Sequence, residues 1–172
     1  MTARDMRVLE FINAFKLART STLARLFYDD NLPIAQRRLT AMATEKKVQR
    51  VKGSEYIYYT KMPKHFNHSL AVTDYLCYLS REHDVREMRA EYKCGNVIAD
   101  ALIALNGKVT FVEVQLTGQP DLLKYLTLRV NKEWQNHFEQ FPEVRLLSER
   151  PPKNCGILVT ADSISGYDFG VI

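Results

Sequence analysis

Two acids, Asp100 and Glu113, stand on either side of Asn106-Gly107 in the segment VIADALIAL-NG-KVTFVEVQL. Asn-Gly between two β-rich runs is the strongest short-range signal for a two-residue type I′ hairpin turn. With Asn106 and Gly107 as the loop, Leu105 lies opposite Lys108, paired residue numbers sum to 213, and Asp100 faces Glu113. Directly opposed side chains leave the same sheet face with Cβ atoms about 5 Å apart, and like charges there are destabilising. Leu102 with Phe111 and Ile98 with Gln115 share that face, while Ala99 with Val114 and Ala101 with Val112 occupy the other. The hairpin is apolar on both sides and is expected at the centre of its sheet. Two uses of the acid pair stay open. It suits Mg²⁺, a hard ion that takes one or two carboxylates, carbonyl oxygen and waters. Alternatively, one acid pairs with a basic residue of a neighbouring element or is protonated, and the pair is a buried polar feature only. A slip of the turn by one residue would put the acids on opposite faces.

The second set of chemistry-bearing residues is cationic and lies in the first third of the chain. Gln36, Arg37, Arg38 and Thr40 fall in a helical pattern whose inner face is Ile34/Ala35, Leu39 and Met42; Lys46, Lys47, Arg50 and Lys52 follow. Gln and Arg can make paired hydrogen bonds to base edges, and Lys and Arg neutralise phosphates. Arg25 and Lys61 add to the phosphate-neutralising set.

The elements that must carry this set can be read from the same stretch. Val8, Leu9, Ile12 and Phe15 recur at helical spacing, predicting a helix from Arg4 to Phe15. Thr20-Ser21-Thr22 offers hydroxyl caps for a second helix with Leu23, Leu26 and Phe27 on one face. Asp29-Asp30-Asn31 breaks it, and Pro33 suits the first turn of the third helix. The period then changes to alternation, with Val48–Val51 and Tyr56–Tyr59 flanking a turn at Lys52-Gly53-Ser54-Glu55. Three short helices and a basic hairpin are the order of a winged helix-turn-helix, in which the third helix enters a major groove and the wing touches the backbone. The alternative is the same fold used for protein contact.

In the remainder, Leu70, Val72, Tyr75, Leu76 and Leu79 predict an amphipathic helix, followed by a strand at Val85–Tyr92 and then the hairpin. A long helix is expected from Asp121 to Phe138 with Leu122, Leu123, Leu126 and Val130 inward, and a short buried strand at Gly156–Ala161 after Pro151-Pro152. Residues 1–64 carry 13 Lys+Arg against 6 Asp+Glu, net +7; residues 65–172 carry 11 against 14, net −3. The asymmetry predicts two domains, 1–64 and 65–172, the first facing a polyanion. The composition, 46% hydrophobic and 26% charged, excludes a disordered tail. No apolar run reaches the ~18 residues of a membrane span and the start MTARDMRVLE has no signal-peptide core, so a cytoplasmic protein without membrane partners is expected. Cys77, Cys94 and Cys155 have no CxxC spacing and read as reduced and structural; His65 and His68 lack company for metal ligation.

An Asp on the second strand and Glu-x-Gln on the third resemble the core of the PD-(D/E)XK nuclease superfamily. With LARLF, QRRLTAMATEKKVQRV, YIYYT, IADALIAL and FVEVQLT, residues 5–165 resemble the replication-relaxation family of plasmids and other mobile elements. The resemblance implies an α+β chain, a winged helix-turn-helix followed by an αβββαβ core with a central mixed sheet. Asp100 would be the acid of the PD motif, with Ala99 in the place of proline, and Glu113 the second metal ligand. Gln115 stands where a lysine orients or activates the attacking water; an amide positions water but is no general base at neutral pH. Glu91, or Glu82, would be a further acid, and Lys124 and Tyr125 would lie on the helix facing the site. The implied function is that of a DNA-binding accessory protein in the replication, transfer or regulation of mobile DNA. Its partners would be double-stranded DNA and a relaxase, replication initiator or polymerase, with the nuclease-like domain used for homodimerisation or docking. The alternative is a Mg²⁺-dependent endonuclease.

Overall fold

A computed structural model describes residues 1–153 and 156–164. The chain is mixed α+β, with five α-helices, a three-stranded sheet and a five-stranded mixed sheet among the described residues. It divides into two compact units, with the break between Glu82 and His83.

In the first unit, α1 (Ala3–Phe15) starts with a capping box. The Thr2 hydroxyl accepts the Asp5 N–H at 3.2 Å, and the Asp5 carboxylate accepts the Thr2 N–H at 2.7 Å. Val8, Phe11, Ile12 and Phe15 form its buried face. A three-residue strand, β1 (Leu17–Arg19), follows, too short to show alternation in the sequence. The expected hydroxyl cap of α2 (Thr20–Phe27) is absent: Arg19 is the cap residue and makes no side-chain cap bond. The orphan Ser21 N–H instead donates to Glu55 at 2.7 Å, and the Ser21 hydroxyl to the other oxygen of the same carboxylate at 2.7 Å. Asn31 caps α3 (Leu32–Thr44) through the Ile34 N–H, Pro33 lies in its first turn, and Ala35, Leu39 and Met42 are buried; Ile34 faces outward. The basic hairpin forms as β2 (Gln49–Lys52) and β3 (Tyr56–Tyr59), antiparallel, with β1 added on the far side of β3.

The domain boundary expected at 64/65 is displaced. Helix α4 (Phe66–Glu82), assigned to the second domain from sequence, belongs to the first unit. Leu70 joins Leu17 and Ile57 in an apolar cluster of that unit, and a buried charge pair adds to it. Asp74 lies within the buried stretch Leu70–Cys77, and a buried carboxylate needs a partner. Arg19 supplies a guanidinium at 2.9 Å and Thr22 a hydroxyl at 3.3 Å. Arg25 adds a bond to the Ser80 carbonyl at 2.6 Å.

The second unit holds β4 (Val85–Cys94), β5 (Val97–Leu105), β6 (Lys108–Gln115), α5 (Leu123–Asn131), a 3₁₀ turn (Glu133–Asn136), β7 (Glu143–Ser148) and β8 (Val159–Ser163). Strand order is β4-β5-β6-β7-β8; the first three are antiparallel, and β7 and β8 run parallel to β6. Thus β6 is central and β5 is paired on both sides. β4 carries a bulge between Arg86 and Arg89, with Glu87 at φ 52°. At the β4–β5 turn, Gly95 has φ +57°, and a Cβ there would collide with the Glu133 carboxylate.

Three expectations change here. The long helix 121–138 is interrupted at Lys132, which takes φ 58°, so α5 is shorter and a 3₁₀ turn follows. Its inward residues are Tyr125 and Leu128, with Leu122 just before it, whereas Leu123 and Val130 are 61% and 67% exposed. Tyr125 reaches a polar group on the sheet, and that contact fixes the helix phase. β7 is an addition to the expected strands, because EVRLLS shows no clean alternation, and β8 starts later than the strand expected at 156–161 and is largely exposed. The core beneath α5 gathers Leu102, Phe111, Val144 and Leu146, with the Phe111 and Tyr125 rings 5.2 Å apart.

Candidate functional site

In the second unit the turn places the acids as its chemistry demands. Asn106 (φ 50°) and Gly107 (φ 80°) both adopt the positive φ of a type I′ turn, and pairing runs from Leu105↔Lys108 to Ala101↔Val112 in the expected register. Continuing it brings Asp100 level with Glu113. At that level the Asp100 Oδ2 accepts the Val114 N–H at 2.8 Å. Glu113 is nearly buried, its side chain 14% exposed. Its Oε1 accepts the Lys124 ammonium at 2.5 Å and also the Tyr125 hydroxyl. Lys124 donates in addition to the Ile98 carbonyl at 3.3 Å. Burial pushes the Glu113 carboxyl above its ordinary range, the Asp100 charge pushes it the same way, and Lys124 and Tyr125 pull it back. Burial, then the Glu113 charge, raises the Tyr125 phenol so far that it stays protonated and acts as a donor.

The sequence-predicted residues divide accordingly. Asp100, Glu113, Lys124 and Tyr125 come together. Gln115 turns to its own loop, its amide donating to the Thr117 carbonyl at 2.5 Å. Glu91 is exposed on β4, between pairs Ala90↔Ala101 and Tyr92↔Ala99, with φ 48°. Glu82 ends α4 in the first unit. Among the described residues no group of three His, Cys, Asp or Glu is arranged to hold a metal. Two carboxylates satisfy Mg²⁺ in kind, but one carries an ammonium and the other an N–H, so the donor set does not fit a divalent ion as it stands. Cys77 and Cys94 are buried free thiols, and Cys155 lies outside the described residues.

In the first unit, Gln36, Arg37 and Thr40 are exposed on α3, and Lys46, Lys47, Arg50 and Lys52 on the loop and hairpin beyond it. A cleft of about 300 Å³ is lined by Gln36 and Lys52 together with Ser21, Ser54, Glu55 and Tyr56. Lys46 and Arg50 line a shallower one of about 490 Å³. Arg50 is held on both sides: its guanidinium lies 4.4 Å from the Tyr56 ring centroid and donates to the Thr40 hydroxyl at 3.3 Å. Arg38 differs from its neighbours. Its guanidinium grips the fully buried Asp5 through two nitrogens and holds that carboxyl down at about 2. Arg25 is likewise engaged, by Ser80 and Asp30.

The residues missed from sequence are the tethers of this surface: Asp5 for α3, and Glu55 and Tyr56 for the hairpin. Thr2-x-x-Asp5 has the spacing of a capping box, so part of the Asp5 role was visible; its pairing with Arg38, 33 residues away, left no local mark. Comparison of the chain with protein-family models, curated proteins and solved structures finds no match.

Proposed function

We propose that the first unit is a winged helix-turn-helix that binds double-stranded DNA, with α3 in the major groove and the β2–β3 hairpin as the wing. On this reading the second unit is a nuclease-like sheet of the PD-(D/E)XK type that has lost cleavage and serves to dock a partner or a second copy. The protein would act as an accessory in the replication or transfer of mobile DNA.

The observation that carries the reading is the exposed polar and cationic row Gln36, Arg37 and Thr40 on α3, continued by Arg50 and Lys52 on a hairpin clamped to α2 by Glu55. A fixed wing beside a helix of base-reading and phosphate-binding side chains presents both kinds of contact without an ordering cost at binding. The test is fluorescence anisotropy with duplex DNA across a salt series. Lys52→Ala should weaken binding to all duplexes and lower the salt slope by about 1, whereas Gln36→Ala should act on preferred sequences only. Affinity that neither variant changes would end this assignment.

A second reading is a Mg²⁺-dependent endonuclease. It is favoured by Lys124, which brings a lysine to the acids from α5 where β6 offers Gln115. Incubating supercoiled and linear DNA with Mg²⁺, Mn²⁺ or EDTA separates the two. Metal-dependent cleavage that disappears in both Asp100→Ala and Glu113→Ala would replace the first reading of the second unit by this one.

A further inference from the structure

A pair of carboxylates on one face of an otherwise apolar hairpin needs positive charge. We propose that Lys124 is the resident cation of this site. Its ammonium takes the role that a divalent ion would otherwise have, and the second unit holds its acids together without metal.

The argument rests on what surrounds the ammonium. Lys124 meets a carboxylate oxygen of β6, Glu113 Oε1, and a main-chain carbonyl of β5, that of Ile98, two residues before Asp100. Carboxylate and carbonyl oxygens are the ligands that hard cations take. An ammonium with three donors satisfies them as a point charge, and its covalent tether to α5 means that no free ion has to be captured. The Tyr125 hydroxyl shares the same Glu113 oxygen, and the Val114 N–H occupies Asp100 Oδ2. A metal would therefore have to displace a tethered cation from one acid and compete with a backbone hydrogen bond at the other. Removal of the ammonium should reverse the situation: Glu113, nearly buried beside a second acid, would lose its ion-pair partner, and a divalent ion would be the simplest remedy.

The inference is independent of DNA binding, so its failure leaves the reading of the first unit untouched. The experiment is a Mn²⁺ titration of the full chain, followed by calorimetry and by thermal unfolding, for wild type, Lys124→Ala, Lys124→Arg and the double variant Lys124→Ala with Asp100→Asn. The wild type and Lys124→Arg should take up no Mn²⁺ saturably and keep the same melting temperature with or without it. Lys124→Ala should melt lower and recover on adding Mn²⁺, binding it saturably where the wild type does not. The double variant should lose that recovery. Saturable Mn²⁺ binding by the wild type, or a Lys124→Ala protein as stable as wild type and indifferent to Mn²⁺, overturns the proposal. Should Lys124→Ala not fold, the wild-type titration decides alone, binding against the proposal and no binding for it.

Discussion

Adjacent arginines on α3 serve different partners. Arg37 faces outward, whereas Arg38 neutralises Asp5, which is fully buried and also caps α1. Arg38→Ala would leave that carboxylate buried without its counter-charge, and should lower the denaturant midpoint clearly. Arg37→Ala should leave stability within about 0.5 kcal/mol and, on the proposed reading of the first unit, weaken DNA binding instead. Chemical denaturation and anisotropy on both variants check the contrast. Asp5 also sets an acid limit. Its carboxyl lies at about 2 against an ordinary 3.8, so the ion pair contributes fully above the ordinary value and is lost as pH falls through about 2. The melting temperature of the wild type should therefore drop over this window, and Asp5→Asn should flatten that part of the profile. Residue pairs were legible in the sequence only where a turn fixed their register. Asp100 and Glu113 are 13 positions apart across one Asn-Gly, whereas Asp5 and Arg38, or Arg19 and Asp74, meet only after the chain has folded.

At the scale of elements, local chemistry identified those with their own punctuation. The break at Asp29-Asp30-Asn31, Pro33 and the alternation of the basic hairpin were sufficient for α3, β2 and β3, and Asn31 proves to be the cap of α3 as well. β1 and β7 have no such marks and exist because a neighbouring strand pairs with them. The periodicity of α5 is misread when leucine and valine alone count as inward: Leu123 and Val130 are exposed, whereas the Tyr125 ring is buried and its hydroxyl meets Glu113, the side that only the resemblance implies for it. The β5–β6 turn lends itself to a clean measurement. Gly107 has φ +80°, and a methyl group added there would find no atom within 4 Å, so a side chain meets only conformational resistance. Gly107→Ala should cost about 1–2 kcal/mol in denaturant unfolding while leaving the acid pair in register. A cost near zero would mean that the turn is not held in its type I′ form.

For the whole molecule, the division of charge survives the shift in boundary. Residues 1–82 carry 14 Lys+Arg against 8 Asp+Glu, net +6, and residues 83–172 carry 10 against 12, net −2. What moved is the ownership of α4, which the sequence alone could not assign, because an amphipathic pattern shows that a helix is buried but not against what. A fragment ending at Glu82 should fold cooperatively by circular dichroism. One ending at Lys64 should not, because Arg19 and Thr22 then face no Asp74 and the cluster Leu17, Ile57 and Leu70 is broken. The outer strand of the larger sheet has a bearing on behaviour at high concentration. β4 is ten residues long and pairs only with β5 among the described residues, a length on which a strand from another copy could grow into a fibre. Its bulge at Glu87, and the exposed alternation of Arg86, Glu87, Arg89, Glu91 and Lys93, spoil that template and guard this border against runaway aggregation.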